Sequence, residues 1–578
     1  MRALIDTLLF DWLQVGQLSE RERHAGQSAD DWRLMLDACE RVAAEQLAPI
    51  NRACDVEEPQ VDAQGRVQLP AGTARALKAY IDTGLLAASQ DAEWGGLQLP
   101  CTVEMAANAF FSKASVACVG YTLLTAGNAS LILAHGSPRQ REVFARPLLE
   151  GRWFGTMCLS EPAIGSSLGD LTTRAEPEAA DDPLGPRYRL KGSKMWISAG
   201  EHELSENIVH LVLAKVPLPD GSLPLGSGGI SLFIVPKWRV DADGRLSGER
   251  NGVGLVGLNH KLGWRGTSNC LLNFGEGAPA YGYRVGAEGQ GLVCMFHMMN
   301  EARIGVGLSA AMLAMAGYEV ALGYARERLQ GRPPGQRGGA QVALTDHADV
   351  RRMLLAQQAI AQGALALNLF CARLVDEQRS GADPQQAARL LALLIPVAKS
   401  WPSQWGLEAN SLAIQVLGGA GYTRDWPVEQ YWRDQRLNMI HEGTHGIQGL
   451  DLLLRKASQP DLLQTFAARV NATLEAALAD PQQAAWAHQL AAALAMVGRA
   501  TQAAWASADP AVAARHATPY LQGFGHLVLA WIWLDLQRLG RAELRAPCAY
   551  FFAYELPLVQ AWLAPVLAGE DLLGEALA

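Results

Sequence analysis

The chain has 578 residues, of which 49% are hydrophobic and 19% are charged. At about 150 residues per domain, this length suggests three or four domains, and the apolar fraction excludes an intrinsically disordered protein. The 49 Lys and Arg residues and the 58 Asp and Glu residues give a net charge of −9. An acidic chain is a poor binder of nucleic-acid phosphates by bulk charge, although a local basic groove for an anionic ligand stays open.

The nine cysteines stand singly, without a C-x-x-C pair. An odd number of isolated cysteines argues against a disulfide-stapled secreted domain and against a zinc ribbon, so we expect reduced cysteines in the core. Asp6 and Asp11 interrupt the apolar N-terminus, which is not the pattern of a secretory signal. The longest apolar runs, at 390–398 and 527–536, fall short of the ~20 residues of a membrane helix. These features predict a cytoplasmic protein without a membrane span.

Four stretches of different hydrophobic pattern follow one another along the chain. Residues 1–154 show helical periodicity broken by Pro and Gly, with Ser28 as a candidate helix cap. Residues 155–283 alternate between apolar and polar side chains, which predicts a small β-barrel or sandwich. Residues 284–457 contain long Ala- and Leu-rich segments typical of a helical bundle. Residues 458–578 are also helical in pattern and carry six Arg, ten Asp or Glu and no Lys, a net charge of −4. We therefore predict a mainly α protein with a central β domain.

A G-x-G-x-x-G pattern occurs at 252–257. A dinucleotide-binding fingerprint needs a strand before the glycines and a helix after them, so that the pyrophosphate meets the helix N-terminus. The residues that follow, 258–264, have the composition of a loop or strand. The pattern is therefore interpreted as a chance match.

An H-E-x-x-H pattern occupies 441–445. On one helix, His441 and His445 would lie one turn apart and could bind zinc, with Glu442 as a base. Gly443 and Thr444 are poor helix residues, and the longer metzincin pattern fails at Gln448. A zinc protease stays as an alternative that metal analysis would separate.

The same segment has a second interpretation. Thr444 is a candidate N-cap for a helix from about 446 through 456, so Glu442 lies on the loop that enters this helix. A loop carboxylate aimed into an apolar pocket becomes a competent general base, because desolvation raises its pKa. A solvent-exposed loop Glu is the alternative.

Four further segments carry groups suited to a polar, planar ligand. Residues 157–167 offer hydroxyls and backbone N–H groups, and Trp196, on a strand edge beyond them, could stack on a planar ring or belong to the core. The Arg-rich segment 324–332 ends a long helix and favours an anion such as a pyrophosphate, unless it is a solvated helix end. The glycines of 415–422 permit close approach of a ligand, or form a helix cap and turn.

In this order and at these separations, the segments resemble the acyl-CoA dehydrogenase family over roughly 30–456. The resemblance implies an acyl-CoA dehydrogenase-like fold with an N-terminal helical domain, a middle β-barrel and a helical bundle. The additional ~120 residues resemble an enlarged branch with a C-terminal helical domain. That branch includes 3-methylmercaptopropionyl-CoA dehydrogenases and some bacterial long-chain enzymes, and its members are often homodimers.

The resemblance also implies a reaction: FAD-dependent α,β-dehydrogenation of an acyl-CoA thioester to the trans-2-enoyl-CoA. Glu442 would take the α proton, a hydride would pass from the β carbon to the flavin N5, and an electron-transfer flavoprotein would accept the electrons. Two alternatives share the fold: an acyl-CoA oxidase, and a flavoprotein that binds nucleic acid or another partner without dehydrogenation. The acidic C-terminal region disfavours nucleic acid, and the retained Glu442 favours catalysis.

Site residues follow from the resemblance, motif by motif, with Glu442 as the catalytic base. The implied FAD contacts are Met157, Leu159, Ser160, Ser166, Trp196, Ser198, Arg328, Gln330, Gln415, Gly418, Gly419 and Thr444. The implied substrate contacts are Ser166, Asn300, Arg303, His441 and Gly443, with Asn300 and Arg303 expected at the start of a long helix. No metal ligand is expected.

The chain departs from the family pattern at four positions. The segment 160–167 resembles the flavin loop of the family. Ile164 and Ser167 replace the usual Ala and Asp of this loop, so it is expected to differ in local geometry. Gly446 replaces a Gln of shorter members, and His441 stands where many members carry Tyr. A histidine next to the base is expected to reshape the acyl pocket or to shift the pKa of Glu442.

Overall fold

The computed structural model describes residues 1–569. The predicted C-terminal domain, 458–578, extends beyond them, so its last nine residues lie outside the described part. Two compact units are present. The barrel unit comprises Met35–Leu99 and Ala114–Ala302, and the helical unit comprises Met1–Leu34, Pro100–Lys113 and the chain from Arg303 onward.

The N-terminal region is mainly helical, as its periodicity predicted, with one short hairpin of β1 (Gln60–Val61) and β2 (Val67–Gln68). Its first long helix begins after the predicted cap: the Asp31 backbone N–H donates to Ser28 Oγ (3.2 Å), and Asp31 Oδ2 accepts from the Ser28 backbone N–H (2.9 Å). The helices are α1 (Arg2–Asp6), α2 (Ala29–Val42), α3 (Asn51–Val56), α4 (Thr73–Ile81), α5 (Cys101–Ala114), α6 (Val116–His135), α7 (Pro138–Gln140) and α8 (Arg146–Leu149).

The predicted central β region forms an eight-stranded sheet and a two-stranded ribbon. The strands are β3 (Trp153–Cys158), β4 (Arg174–Ala179), β5 (Arg187–Ser198), β6 (Asn207–Lys215), β7 (Ile230–Pro236), β8 (Trp238–Val240), β9 (Leu246–Arg250), β10 (Val253–Leu258), β11 (Asn269–Phe274) and β12 (Ala280–Val285). The sheet order is β10-β11-β5-β12-β7-β6-β3, and β8 pairs with β9. Strand β4 pairs with both β5 and β6, where Arg174 meets Lys215, so β4, β5, β12, β7 and β6 close into a ring. The sheet is therefore a small barrel, one of the two architectures that the alternation predicted.

Strands β6 and β7 carry hydrophobic side chains on both faces. Val212 and Phe233 belong to one core cluster, shared with β4, β5 and β12, whereas Leu211 and Ile234 belong to a second, shared with α6 and α8. Successive side chains of a strand point to opposite faces, so a strand buried on both sides reads as a continuous apolar run. This double burial explains why both strands are predominantly apolar in sequence, with His210 inside β6 and Ser231 in β7 as buried polar residues.

Two strand predictions are settled by the sheet. The G-x-G-x-x-G segment lies on β10 and leads through a loop into β11, not into a helix, which confirms that it is not a dinucleotide fingerprint. Trp196 lies on the half of β5 that pairs with β11 alone among the described strands, because the pairings with β4 and β12 are confined to 187–191; this agrees with its expected position at a strand edge.

Long helices dominate the remaining chain, as predicted. They are α9 (Gly291–Glu327), α10 (Ala348–Ser380), α11 (Pro384–Leu417), α12 (Val428–Leu437), α13 (His445–Leu450), α14 (Pro460–Leu478), α15 (Ala484–Ala504), α16 (Pro510–Ala514), α17 (Ala517–Leu536), α18 (Ala542–Tyr550) and α19 (Leu558–Ala568). Asp383 caps α11 by accepting from the Gln386 backbone N–H (2.9 Å), with Pro384 in its first turn. Helix α9 begins at Gly291, so the expectation that Asn300 and Arg303 start it was wrong; both lie well inside it.

Several apolar helices are longer than the apolar runs of the sequence indicated. Four segments of the described chain are long and apolar enough, by length and composition alone, to cross a membrane: Val116–His135, Gly291–Glu327, Ala348–Ser380 and Ala542–Ala568. The buried shares of their apolar windows are 72%, 89%, 83% and 39%. The first three therefore use most of their apolar surface for packing inside the protein. Within the described chain, none of the nine cysteines forms a disulfide, and all except the half-buried Cys101 are buried, as expected of isolated core cysteines.

Candidate active site

The loop between α12 and α13 places a carboxylate on an unusual backbone. Glu442 has a φ of +53° and Gly443 a φ of +91°, both in the left-handed region. Helix α13 then begins at His445, capped by Thr444, whose hydroxyl accepts from the Ile447 backbone N–H (3.4 Å). The predicted cap is confirmed, and Glu442 lies on the loop before the helix, not within it.

This local structure removes the helical geometry that a zinc protease needs. His441 lies in the loop and His445 is the first residue of α13, so their rings are not on successive turns of one helix. Within the described residues, no group of three metal-ligating side chains includes either histidine.

The segment 438–444, between α12 and α13, carries Glu442 and is called the base loop here. Two buried side chains hold successive carbonyl groups of this loop. Gln448 Nε2 donates to the Glu442 carbonyl oxygen (2.9 Å), and Lys399 Nζ donates to the Gly443 carbonyl oxygen (2.6 Å). Both side chains are fully buried. A Cβ on Gly443 would lie 2.6 Å from Gln448 Nε2, so this hydrogen bond requires glycine at position 443.

Burial and charge set the protonation states around Glu442. Burial raises the pKa of Glu442, and the positive charges of Arg303 and Lys399 oppose this rise. Burial lowers the pKa of Lys399 to about 7, against the opposing effect of Glu442. Burial, reinforced by Lys399, lowers the pKa of His441 to about 3 and that of His445 to about 4, so both imidazoles are neutral at neutral pH.

Of the two predicted CoA-side residues, Arg303 acts electrostatically on the base. Its side chain is buried, and its Nη1 atom lies 3.6 Å from Asp451 Oδ2. Burial lowers the pKa of Arg303, and Asp451 and Glu442 counter this effect. Asn300 is exposed on α9.

Two exposed segments of the helical unit carry other predicted FAD contacts. Arg328 and Gln330 follow the C-terminal end of α9 and are exposed. Gln415 is exposed in the last turn of α11, which ends at Gly418 with a φ of +61°. Within residues 1–569, a Cβ at Gly418 or Gly419 would meet no atom within 4 Å, so this turn presents its backbone to open space.

A buried ion pair fixes the predicted flavin loop of the barrel unit. Lys194 Nζ lies 3.1 Å from Glu161 Oε1 and donates to the Leu159 carbonyl oxygen (2.9 Å). The Met195 backbone N–H donates to the Ser160 carbonyl oxygen (3.0 Å), which ties the loop to β5. The loop carrying Leu159 and Ser160 is therefore held by both backbone and charge.

Glu161 is saturated with donors. It accepts hydrogen bonds from the backbone N–H and the hydroxyl of both Thr172 and Thr173, at 2.6 to 3.0 Å. Burial alone would raise its pKa, but Lys194 and these threonines outweigh burial and lower the pKa of Glu161 to about 2. The carboxylate is therefore ionised at neutral pH.

The two departures in the flavin loop have different structural settings. Ile164 and Glu161 exchange backbone hydrogen bonds of 2.9 and 3.0 Å, and the Ile164 side chain packs against the core shared with α6. Ile164, which is larger than the usual Ala, therefore occupies space at the edge of this core. Ser166 and Ser167 are exposed, and a Cβ at Gly165 would meet nothing within 4 Å in the described chain.

A bulge in β5 turns Trp196 outward. Cys270 pairs with Ile197 and Leu272 with Lys194, so Met195 and Trp196 together oppose Leu271. Trp196 has a φ of +64° and is 60% exposed, which is unusual for a tryptophan and makes an aromatic platform. The core alternative for Trp196 is thus wrong.

Two other predicted contacts lie on strands of the same sheet. Ser198, at the end of β5, accepts from Asn269 Nδ2 (3.2 Å). Met157 is half-buried on β3. Both are positioned by strand pairing and not by a flexible loop.

Three buried residues of these sites were missed from the sequence: Lys399, Gln448 and Lys194. For two of them a signal was present. Lys399 directly follows the apolar run 390–398, and Lys194 shares the strand parity of the buried Tyr188 and Leu190. A lone lysine on a buried face is rare without a partner, so each position predicts a paired charge.

Comparison with known proteins agrees with the fold. Residues 29–152 match the acyl-CoA dehydrogenase N-terminal domain, residues 289–457 its C-terminal domain, and residues 466–576 the acetyl-CoA dehydrogenase C-terminal-like domain. The chain is 35% identical to 3-methylmercaptopropionyl-CoA dehydrogenase of Ruegeria pomeroyi, over 96% of this chain and 92% of that protein. It is 34% identical to a broad-specificity linear acyl-CoA dehydrogenase of Mycobacterium tuberculosis, over 78% and 73%.

The fold also matches solved structures. An acyl-CoA dehydrogenase of Bacillus anthracis in complex with FAD superposes with a TM-score of 0.75 at 20% identity, covering 94% of this chain and 89% of that one. With the domain matches and the identity to full-length relatives, the conclusion is direct: this chain belongs to the acyl-CoA dehydrogenase family of FAD-dependent oxidoreductases, with an additional C-terminal helical domain.

Proposed function

We propose that the chain removes the α proton of an acyl-CoA thioester with Glu442 as the base, giving the trans-2-enoyl-CoA. The observation that carries this proposal is the half-buried carboxylate of Glu442, on a left-handed backbone whose carbonyls at Glu442 and Gly443 are each held by a buried side chain. A base must be desolvated enough to be reactive and fixed enough to meet one C–H bond. The raised pKa of Glu442 brings its basicity closer to neutral pH.

The chain's own residues prepare three further features of the step. The neutral His441 next to the base adds bulk without charge, so it shapes the space beside the acyl chain. The Glu442 backbone N–H is available to polarise the thioester oxygen as negative charge develops there. Arg303 and Lys399 place positive charge near the base, which favours its ionised form before proton removal.

The exposed residues of the flavin loop and of β5 fit FAD. Trp196 offers an exposed ring face, Ser160, Ser166 and Ser198 offer hydroxyls, and the backbone at Gly165 is open to a ligand. When bound, FAD supplies the acceptor for the hydride that leaves the β carbon. The remaining contacts that we propose for FAD are Met157, Leu159, Arg328, Gln330, Gln415, Gly418, Gly419 and Thr444.

We further propose a cytoplasmic homodimer that passes its electrons to an electron-transfer flavoprotein. Each turnover leaves two electrons on the cofactor, so an acceptor is required. The exposed Arg328, beyond the end of α9, suits a contact with the pyrophosphate of an FAD bound to a second subunit. Gly443, Ser166, Asn300 and Arg303 are proposed for the CoA side of the substrate.

The test replaces Glu442 with Gln and follows the flavin. We expect purified Glu442→Gln to retain the flavin absorption of the parent enzyme. Anaerobic octanoyl-CoA or palmitoyl-CoA should bleach the parent but leave the variant unbleached. The exposed Glu408 of α11 provides the matched control, and Glu408→Gln should bleach normally.

Two outcomes would change the proposal. Near-normal bleaching of Glu442→Gln contradicts the assignment of this residue as the base. Rapid peroxide release by the parent enzyme in air, equal to substrate consumption, replaces the electron-transfer flavoprotein by oxygen and makes the protein an oxidase.

A further inference from the structure

We propose that Lys399 is a positioning residue for the base loop: its buried ammonium group holds the Gly443 carbonyl and favours the carboxylate form of Glu442. The inference rests on the proposed function of Glu442 as the base, and it goes beyond the residues that the family motifs indicate. Lys399 lies outside every motif identified in the sequence, and this role explains why its charge is buried.

The first argument is burial. The Lys399 side chain is 0% exposed, on a turn of α11 flanked by Pro396 and Pro402. Taking an ammonium group out of water is unfavourable unless hydrogen bonds and opposite charge compensate. Here the compensation comes from the Gly443 carbonyl, 2.6 Å from Nζ, and from the negative charge of Glu442.

The second argument is the strain of the loop. A non-glycine residue such as Glu442 at a φ of +53° is disfavoured and persists only where its surroundings fix it. Gln448 fixes the carbonyl of Glu442, and Lys399 fixes the next carbonyl along the chain. Without Lys399, the Gly443 peptide would lose its buried partner, and the carboxylate one residue earlier would lose its fixed direction.

The third argument is charge. Six ionisable groups act on Glu442, on Lys399 or on the charged residues beside them. They are Arg303 of α9, Arg436 of α12, His441 of the base loop, His445 of α13, and Asp451 and Arg455, which follow α13. The two histidines are neutral near pH 7, and Arg303 forms an ion pair with Asp451. Burial lowers the pKa of Lys399 to about 7, so its ammonium form predominates below that pH.

The test measures the pH dependence of kcat in substitutions at Lys399. Lys399→Met removes the charge and the donor at similar volume. We expect it to keep its flavin absorption, to change KM less than kcat, and to move the acid limb of the kcat profile up by about one pH unit. On the acid side, one unit corresponds to an about tenfold lower rate. Lys399→Arg keeps the charge, so its acid limb should stay at the parent position even where kcat falls.

A matched control separates this effect from general destabilisation. Lys237 of the barrel unit is also buried, and its Nζ atom donates to the His202 carbonyl oxygen (3.0 Å). Lys237→Met should lower thermal stability without moving the acid limb. If Lys399→Met does not fold, Lys399→Gln takes its place, because it keeps an amide donor but no charge and should show the same upward shift.

The outcomes distinguish this inference from the proposed function. If Glu442→Gln turns over normally, the base assignment fails first. If Glu442→Gln is inactive but the Met and Gln substitutions of Lys399 leave the acid limb and the ratio of kcat to KM unchanged, only the role of Lys399 is refuted. An upward shift in these variants, absent from Lys399→Arg and Lys237→Met, supports it.

Discussion

The ammonium group of Lys194 lies 3.1 Å from the carboxylate of Glu161, and both side chains are buried in the barrel unit. The pair joins β5 to the loop that carries Ser160 and precedes Ser166. Trp196 follows Lys194 by two residues and lies in the bulge. One buried ion pair thus fixes both the aromatic platform and the hydroxyl loop that we propose for FAD.

Loss of this lysine should be costly for both stability and cofactor binding. Lys194→Met leaves the carboxylate of Glu161 buried without its counter-charge, which costs about 3–5 kcal/mol of unfolding free energy when a buried pair is broken. Urea unfolding and the ratio of flavin to protein absorbance measure the two effects. The double variant Lys194→Met with Glu161→Gln should recover part of the stability. Lys191→Met, at an exposed position of the same strand, should change neither quantity.

The same carboxylate predicts how stability depends on pH. The pKa of Glu161 falls from an ordinary value of 4.5 to about 2 in the folded protein, because Lys194 and two threonines outweigh burial. A depressed folded-state pKa stabilises the protein above the unfolded pKa, and this contribution is lost as the pH falls from about 4.5 toward 2. Unfolding free energies at pH 7, 4 and 3 should therefore decline more steeply in the parent than in Glu161→Gln. Parallel declines would show that other carboxylates account for the acid sensitivity.

The sequence predicted those parts of the molecule that depend on local periodicity. The barrel, the long helices and the Thr444 cap all follow from patterns that a chain of this composition displays directly. The bulge that exposes Trp196 depends on the register between two strands, which alternation alone does not specify. Similarly, the bond from Lys399 to Gly443 joins residues 44 positions apart, and no spacing rule connects them.

The kcat profile should show an acid limb above the ordinary pKa of a glutamic acid. Burial raises the pKa of Glu442 against the opposing charges of Arg303 and Lys399, and only the ionised form can accept a proton. Activity is therefore full above the raised pKa and is lost as the pH falls through it. His441 does not add to this limb, because its pKa is lowered to about 3. Anaerobic single-turnover bleaching across pH 4.5 to 9 isolates the proton-removal step from the electron acceptor. A rate that stays flat down to pH 4.5 would contradict the raised pKa.

The glycine after the base offers a sharp test of the loop geometry. Gly443 has a φ of +91°, and a Cβ there would lie 2.6 Å from Gln448 Nε2, the group that holds the Glu442 carbonyl. Gly443→Ala must shift either the loop or the glutamine, and a displacement of about 1 Å at a reacting group costs about 100-fold in rate. We expect kcat to fall by this order while flavin absorption stays at the parent level.

Gly446 is the matched control for this prediction, because it lies three residues further on, in the first turn of α13. A Cβ there would meet its nearest neighbour, Thr444 Oγ1, at 3.9 Å, which is ordinary contact. Gly446→Ala should therefore retain kcat, and alanine should favour the helix by about 1 kcal/mol relative to glycine. Equal losses in both variants would mean that the helix start is sensitive to any added methyl group, and that the left-handed turn at Gly443 has no special part in aligning Glu442.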